Sequence, residues 1–291
     1  MKFIGFLINS NIYVALGAVF LTLESQVLLG MVPQINPLLF VLFFGVMLDY
    51  NFHRLVTLLW RKEDLANEKY RWVRENRDLF YTMTILAFLG FIWSVSMLNV
   101  IALLVVAPFA LITFFYSIPV VKINKKSYRL RDIPLLKLFL VAIVWSVLTV
   151  LLPVVQANQS FEVLQIGLIL LERFLFAFAI TLPFDIRDMQ NDRLDGVITI
   201  PMRIGVERST QLTNVILVLF VFVALVHYGF NSIFFVIPAL ILSSLVTLFF
   251  VNLKSLRSSK FYYNGILDGS ILIQGALVMI SYYIWFLLLC H

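Results

Sequence analysis

Four aspartates, Asp185, Asp188, Asp192 and Asp195, crowd into the segment DIRDMQNDRLD, inside the longer run TLPFDIRDMQNDRLDGVITIPMRIG from Thr181 to Gly205. If the helix that carries them continues past Pro183, their spacing turns all four onto one face. Like charges so arranged repel and weaken the helix unless a cation sits among them. Carboxylates are the ligands hard cations prefer, and Mg2+ characteristically takes one or two of them together with phosphate oxygens and water. The pattern therefore suits a magnesium–diphosphate complex. The competing reading is a solvated acidic helix end, neutralised locally by Arg187 and Arg193.

A second polar knot, Asp49, Asn51, His53 and Arg54, follows the apolar run VLFFGVML. It reads either as a helix end entering water or as part of a site, with His53 as a base or phosphate donor. Glu172 and Arg173 lie inside an apolar run, where charge is costly. Arg173 precedes Asp185 by about 18 Å of helix, too far to share its cation, so a structural Glu–Arg pair or an interhelical pair is expected there. Glu24 is expected at the outer membrane interface. The three histidines are scattered, and the single cysteine, Cys290, excludes an internal disulfide and cysteine-based metal sites.

The elements that must position these residues are apolar helices. The chain of 291 residues is 62% hydrophobic and 13% charged, with a mean hydropathy of +0.98. A soluble domain carries roughly 25% charged residues, so too little polar surface remains to cover a water-soluble fold. Runs long enough to cross a bilayer lie near 11–30, 34–59, 79–96, 99–120, 133–153, 162–184, 209–229, 231–252 and 265–288. The expectation is an all-α integral membrane protein with nine spans in one polytopic domain, 1–291. The N-terminal apolar run is read as a retained first span rather than a cleaved signal.

The connecting segments alternate in charge. Those after the first, third, fifth and seventh spans lack Lys and Arg, whereas those after the second, fourth, sixth and eighth hold WRKEDLANEKYRWVRENRD, KINKKSYRLRD, the aspartate-rich run and LKSLRSSK. This asymmetry predicts a multi-pass protein with its N-terminus and even loops cytoplasmic and its C-terminus outside, in the cytoplasmic membrane if the source is bacterial. It also accounts for the net charge of +6 without nucleic acid. Chemistry is expected on the cytoplasmic face.

The whole string resembles the second aspartate-rich motif of the UbiA family of intramembrane prenyltransferases, DxxDxxxD followed by a Gly and a Thr-x-Pro-x-x-x-Gly tail. Here these are Asp185, Asp188, Asp192, Gly196, Thr199, Pro201 and Gly205; Asp195 lies outside the pattern. The segment FFYSIPVVKINKKSYRLRDIPLLKLFLVAIVWS is similar to the family's fourth loop, with Tyr116, Ser117, Pro119 and Lys122 matching and Lys137 and Trp145 as counterparts. The resemblance covers nearly the whole chain. It implies a nine-helix bundle that moves a prenyl group from an allylic diphosphate to a lipophilic, aromatic or lipid, acceptor with Mg2+ as cofactor. Asp185, Asp188 and Asp192 would hold the metal, with Asp49 and Asn51 as a reduced opposite side. Lys122, Arg54 and Lys126 would bind the diphosphate, and Tyr116 would line the substrate chamber.

The family's first aspartate-rich motif is depleted in GVMLDYNFHRLVTLLWRKED, where Asp49 and Asn51 are the only oxygen ligands in place. Three readings accommodate the loss. A reduced magnesium site could suffice, with Arg54, Lys122, Lys125 and Lys126 supplying positive charge. The substrate could be a different isoprenoid or lipid phosphate. Or the chain could be a non-catalytic isoprenoid- or lipid-phosphate-binding protein of the same fold. A transporter is the alternative from another class, with Glu172 and Arg173 as its midplane candidate.

Overall fold

The computed structural model describes residues 2–60, 68–118, 121–123, 126–157 and 159–289. Its helices are α1 (Lys2–Asn9), α2 (Ile12–Leu28), α3 (Pro37–Trp60), α4 (Glu68–Glu75), α5 (Arg77–Val95), α6 (Val100–Ser117), α7 (Leu136–Gln156), α8 (Val163–Asp195), α9 (Ile200–Ile204), α10 (Val206–Tyr228), α11 (Ile237–Asn252) and α12 (Asp268–Leu289). Among the described residues eight helices are long and apolar enough to cross a membrane, and a ninth span is formed if the bent pair α1–α2 counts as one. The all-α, nine-span expectation therefore holds, with one local addition. Two three-residue strands, β1 (Val121–Ile123) and β2 (Lys126–Tyr128), pair antiparallel in the loop after α6.

The first span departs from its expected simple form. α1 and α2 meet at 76°, and Asn11 at the corner takes the left-handed conformation with φ 64°. The helices then pack in sequence around a ring. α2 lies between α3 and α12, α7 packs on α6 and α8, and α8, α10, α11 and α12 follow one another back to α2. Where α12 crosses α2 the backbones come close, since a Cβ on Gly275 would meet Phe20 backbone atoms at 2.6 Å. Small residues at such crossings let membrane helices approach.

Apolar residues face outward as well as inward. α6 leaves Val100, Ile101, Leu104, Leu111 and Phe114 exposed, a surface that water would not tolerate over several helices. Lipid covers it without cost.

Between α2, α8, α10 and α12 the core contains charge. Arg173 Nη1 donates to Glu24 Oε2 at 2.9 Å, and its Nη2 donates to Ser25 Oγ at 3.1 Å and Leu21 O at 3.2 Å. Gln274 Nε2 donates to Glu24 Oε1 at 2.9 Å. The neighbouring Glu172 accepts from Tyr228 Oη at 2.8 Å and pairs with His227 Nδ1 at 2.7 Å. Glu24 is thus not interfacial as its position in the sequence suggests. It is the buried counter-ion of Arg173, so the structural pairing expected at Glu172 and Arg173 is interhelical, with Arg173 turned to α2 and Glu172 to α10. A charge in apolar surroundings persists when it is paired and hydrogen-bonded; here both terminal nitrogens of Arg173 are engaged, while its Nε is buried without a partner.

Candidate active site

α8 runs unbroken to Asp195 although Pro183 removes one of its hydrogen-bond donors. Its end is set by the residues after the aspartates. Gly196 takes φ 78°, open to glycine at little cost. Its N–H bonds Arg193 O at 3.1 Å, and Val197 N–H bonds Asp192 O at 2.8 Å. Thr199 then precedes α9, Pro201 sits in its first turn, and Gly205 closes it with φ 86°. The Gly and Thr-x-Pro-x-x-x-Gly tail is the device that stops α8 at Asp195 and returns the chain into α10.

The continuous helix carries Asp185, Asp188 and Asp192 to one place. Asp185 and Asp192 are buried, and all three carboxylates surround the ammonium of Lys137, from the first turn of α7. Lys137 Nζ stands 2.9 Å from Asp185 Oδ1, 3.5 Å from Asp188 Oδ2 and 3.2 Å from Asp192 Oδ2. The contact with Asp185 Oδ1 is ionic only. That oxygen is buried and accepts no hydrogen bond of good geometry. Arg187 forks onto Asp188, with Nε at 2.7 Å from Oδ1 and Nη2 at 3.1 Å from Oδ2. Its guanidinium also lies 5.0 Å from the Phe184 ring centre and 5.1 Å from that of Tyr263. The side chain of Asp195 lies outside the described residues.

These carboxylates line a cavity of about 480 Å3 bounded by α3, α6, α7, α8 and the start of α12. Asp49, His53, Arg54 and Tyr116 line it too, as do Arg129, Arg131, Lys260, Tyr263, Asn264 and Asp268. Its lining also has an apolar stretch, with Ile112, Leu138, Val141, Val144, Trp145, Ala177, Ile180 and Ile271. Trp145 and Ala177 each lie two helical turns from Lys137 and Asp185 respectively, so this wall extends about 12 Å along the helices away from the charges.

The depleted first motif divides. Asp49 reaches the cavity, with Thr113 as its hydrogen-bonding neighbour. Asn51 does not line it. Two residues along a helix is about 200° of rotation, and Asn51 points the other way, accepting from Asn11 Nδ2 at 2.8 Å and donating to Thr84 Oγ1 at 3.1 Å. The structure does not bring Asn51 beside Asp49 at the cavity: its amide is buried and occupied between Asn11 and Thr84 of α5. Arg54 borders the cavity, but its guanidinium donates to Asn11 Oδ1 at 2.7 Å and to Asn9 O, so much of its fork is used within the protein. Lys122 and Lys126 lie in β1 and β2, in register with Ser127 and Ile123; their side chains, and the whole of Pro119 and Lys125, lie outside the described residues.

The structure adds residues that sequence reasoning passed over. Arg131 Nη1 lies 2.8 Å from His53 Nε2, and His53 Nδ1 lies 3.0 Å from Ser117 Oγ. The Arg131 guanidinium also lies 5.8 Å from the Tyr116 ring centre. The turn that presents Arg131, Leu130–Asp132, is clasped by Arg129, whose backbone N–H donates to Asp132 Oδ2 at 2.8 Å and whose Nη2 donates to Oδ1 at 2.8 Å. Burial works to raise the Asp132 carboxyl, but these Arg129 contacts outweigh it and hold it below the usual carboxylate range. Burial likewise works to lower the Arg131 guanidinium, and Tyr116 with Asp188, Asp192 and Asp132 outweighs that and raises it. Arg131 is thus within electrostatic reach of the aspartates on α8. Asn264 lies within a π-helical turn, Tyr262–Leu267, and Asp268 follows it, a deviation frequent at functional sites.

The residues fit a hard cation in a particular way. Among the described residues no group of three His, Cys, Asp or Glu side chains stands close enough to enclose a metal alone. Yet three carboxylates already gather about one cationic nitrogen, and the buried Asp185 Oδ1 has no hydrogen-bond donor. That donor set suits Mg2+ bound by one or two carboxylates, with the rest of its shell from phosphate and water.

Fold and site define an intramembrane helical bundle around a chamber with carboxylates and cations at one end and an apolar wall at the other. The family model described as UbiA prenyltransferase family matches residues 74–263. The chain belongs to that family and is an integral, multi-pass membrane protein. A UbiA homolog from Archaeoglobus fulgidus bound to GPP and Mg2+ is similar over 94% of this chain and 98% of its own, at TM-score 0.62 and 14% identity. The apo structure of a UbiA homolog from Aeropyrum pernix K1 is similar over 96% and 98%, at TM-score 0.59 and 18% identity. A digeranylgeranylglyceryl phosphate synthase is similar over 96% and 95%, at TM-score 0.55 and 16% identity. At such identities the likeness is one of fold. No curated protein sequence matches the chain.

Proposed function

We propose that the protein transfers a prenyl group from an allylic diphosphate to a lipophilic acceptor in the membrane, with Mg2+ as cofactor. The observation that carries this reading is the convergence of Asp185, Asp188 and Asp192 on one cation in a chamber that also has an apolar wall. An amphiphile with a diphosphate head and a hydrocarbon tail matches both ends. The homolog from Archaeoglobus fulgidus, of the same family and fold, binds GPP or DMAPP with Mg2+.

Asp188 and Asp192, with Asp185 behind them and Asp49 across the cavity, would hold Mg2+. Bound there, it would supply Lewis-acid stabilisation of the departing diphosphate. Lys137, which neutralises these carboxylates, would divide its charge between them and the incoming phosphate oxygens. The apolar wall around Trp145 and Ile180 keeps the tail and the reacting allylic carbon away from water. Tyr116 and Trp145 present aromatic faces, which stabilise positive charge at that carbon. The charged ends of α3 and α8 adjoin the Lys- and Arg-rich loops, so the chamber opens to the cytoplasm, with the N-terminus on that side and the C-terminus opposite.

The test supplies purified protein in lipid nanodiscs with labelled prenyl diphosphates of several lengths, Mg2+ and a panel of phenolic and lipid acceptors. Mg2+-dependent appearance of prenylated product supports transfer. Tight diphosphate binding without product or inorganic diphosphate release across the panel would assign a binding role instead, and solute flux in liposomes would assign transport.

A further inference from the structure

We propose that Arg131, positioned by His53, is a direct ligand of the substrate diphosphate and takes the place of a metal ion, so that the loaded site holds a single Mg2+. The inference rests on the prenyl-diphosphate reading above and specifies how the head group is held.

The wall facing the aspartates of α8 is mostly basic. Of the oxygen ligands expected there, Asp49 alone reaches the cavity. The next helical turn of α3 brings His53 onto the same face, since four residues return a helix to nearly the same direction. Arg131 meets it at 2.8 Å. A guanidinium is a donor only, so His53 Nε2 accepts, and Nδ1 carries the proton that Ser117 Oγ receives at 3.0 Å. That chain fixes the imidazole tautomer and, through it, the direction of the arginine. The contact uses Nη1, and the planar fork has further N–H groups with which to meet two phosphate oxygens, a geometry arginine favours.

The balance of charge decides how many metal ions follow. Among the described lining residues, six Arg and Lys side chains stand with five carboxylates. A cavity with acid on two walls would be strongly negative and would need several divalent ions before it could admit an anion. Arg129, one of the six, is paired at 2.8 Å with Asp132, so the charges among the described lining residues come close to cancelling. A prenyl diphosphate carries about three negative charges near neutral pH; one Mg2+ offsets two of them and the Arg131 guanidinium would meet the third. A second Mg2+ would have to enter beside Arg131, against its charge, where α3 offers Asp49 as its one cavity-lining carboxylate.

The test measures binding rather than turnover. Geranyl thiolodiphosphate, which resists ionisation, is bound to the purified protein with Mn2+ in place of Mg2+, and bound Mn2+ is counted by electron paramagnetic resonance. One Mn2+ per bound analogue is expected; two or more would overturn the proposal without any variant. Arg131→Gln should weaken analogue binding about tenfold or more, with Arg131→Lys recovering part of the loss. His53→Gln, which keeps an acceptor near the Nε2 position, should bind the analogue more tightly than His53→Ala, as positioning through Arg131 requires. Unchanged affinity in Arg131→Gln would overturn this assignment alone. Wild-type protein that binds no analogue at any Mn2+ concentration would overturn it together with the prenyl-diphosphate reading.

Discussion

Lys137 Nζ stands 2.9 Å from Asp185 Oδ1, an oxygen that is buried and has an ionic partner but no hydrogen bond. The same ammonium reaches Asp188 and Asp192. One lysine from α7 therefore holds together a set of like charges that would otherwise drive α8 away from its neighbours. It occupies electrostatically the position that Mg2+ would share when the diphosphate arrives.

Replacing Lys137 by Met should expose that repulsion. Removing one partner of a buried ionic cluster costs about 3–5 kcal/mol, so the thermal midpoint in detergent should fall well below that of the wild type without divalent ions. Added Mg2+ should restore much of the difference in Lys137→Met and shift the wild type less. A Lys137→Met midpoint that is unchanged, or indifferent to Mg2+, would contradict the role.

Asp49 and Asn51 should behave in opposite ways although they are two residues apart. Asp49→Asn removes a cavity carboxylate and should weaken Mg2+-dependent diphosphate binding by about tenfold, near 1.4 kcal/mol, with little effect on stability. Asn51→Ala breaks two buried hydrogen bonds, to Asn11 and Thr84, and should cost about 2–3 kcal/mol of stability while leaving affinity unchanged. Paired thermal melts and binding isotherms separate the two.

The Glu24–Arg173 pair lies among apolar side chains outside the cavity. Arg173→Leu should lower the midpoint sharply, because it strands the Glu24 carboxylate; Glu24→Leu should do the same to Arg173. The double substitution should be less costly than the two single ones added together. Diphosphate binding measured below the midpoint should not change in any of the three. A loss of affinity in the double variant would bring this cluster into the site and reopen the transport reading.

The apolar runs located the spans because lipid imposes length and composition directly on sequence. The fate of α8 beyond Pro183 was also legible, because Gly196, Thr199 and Pro201 each have a local backbone role that fixes where a helix stops and the next begins. Contacts between distant helices were not legible. Lys137 meets aspartates about fifty residues away, and Glu24 meets Arg173 across 149, pairings that depend on how the ring closes. Asn51 shows a different limit. An asparagine near a helix end has the same local signature whether it meets a metal or a neighbouring helix, and only rotation relative to Asp49 separates the cases. The bend at Asn11 and the short hairpin after α6 interrupt patterns that read as a simple span and a loop. Arg131 was passed over as one cation in a basic loop, since its meaning comes from His53, 78 residues earlier.

The central claim is that the aspartates on α8 hold a cation that in turn holds a prenyl diphosphate. Its most direct test is equilibrium binding of labelled geranyl diphosphate to the purified protein, titrated with Mg2+, for the wild type, Asp188→Asn and Asp192→Asn. Saturable binding that requires Mg2+ in the wild type and is lost in both variants, with their thermal midpoints preserved, is the predicted result. Binding that is equally tight in chelator, or that survives both substitutions, would contradict it.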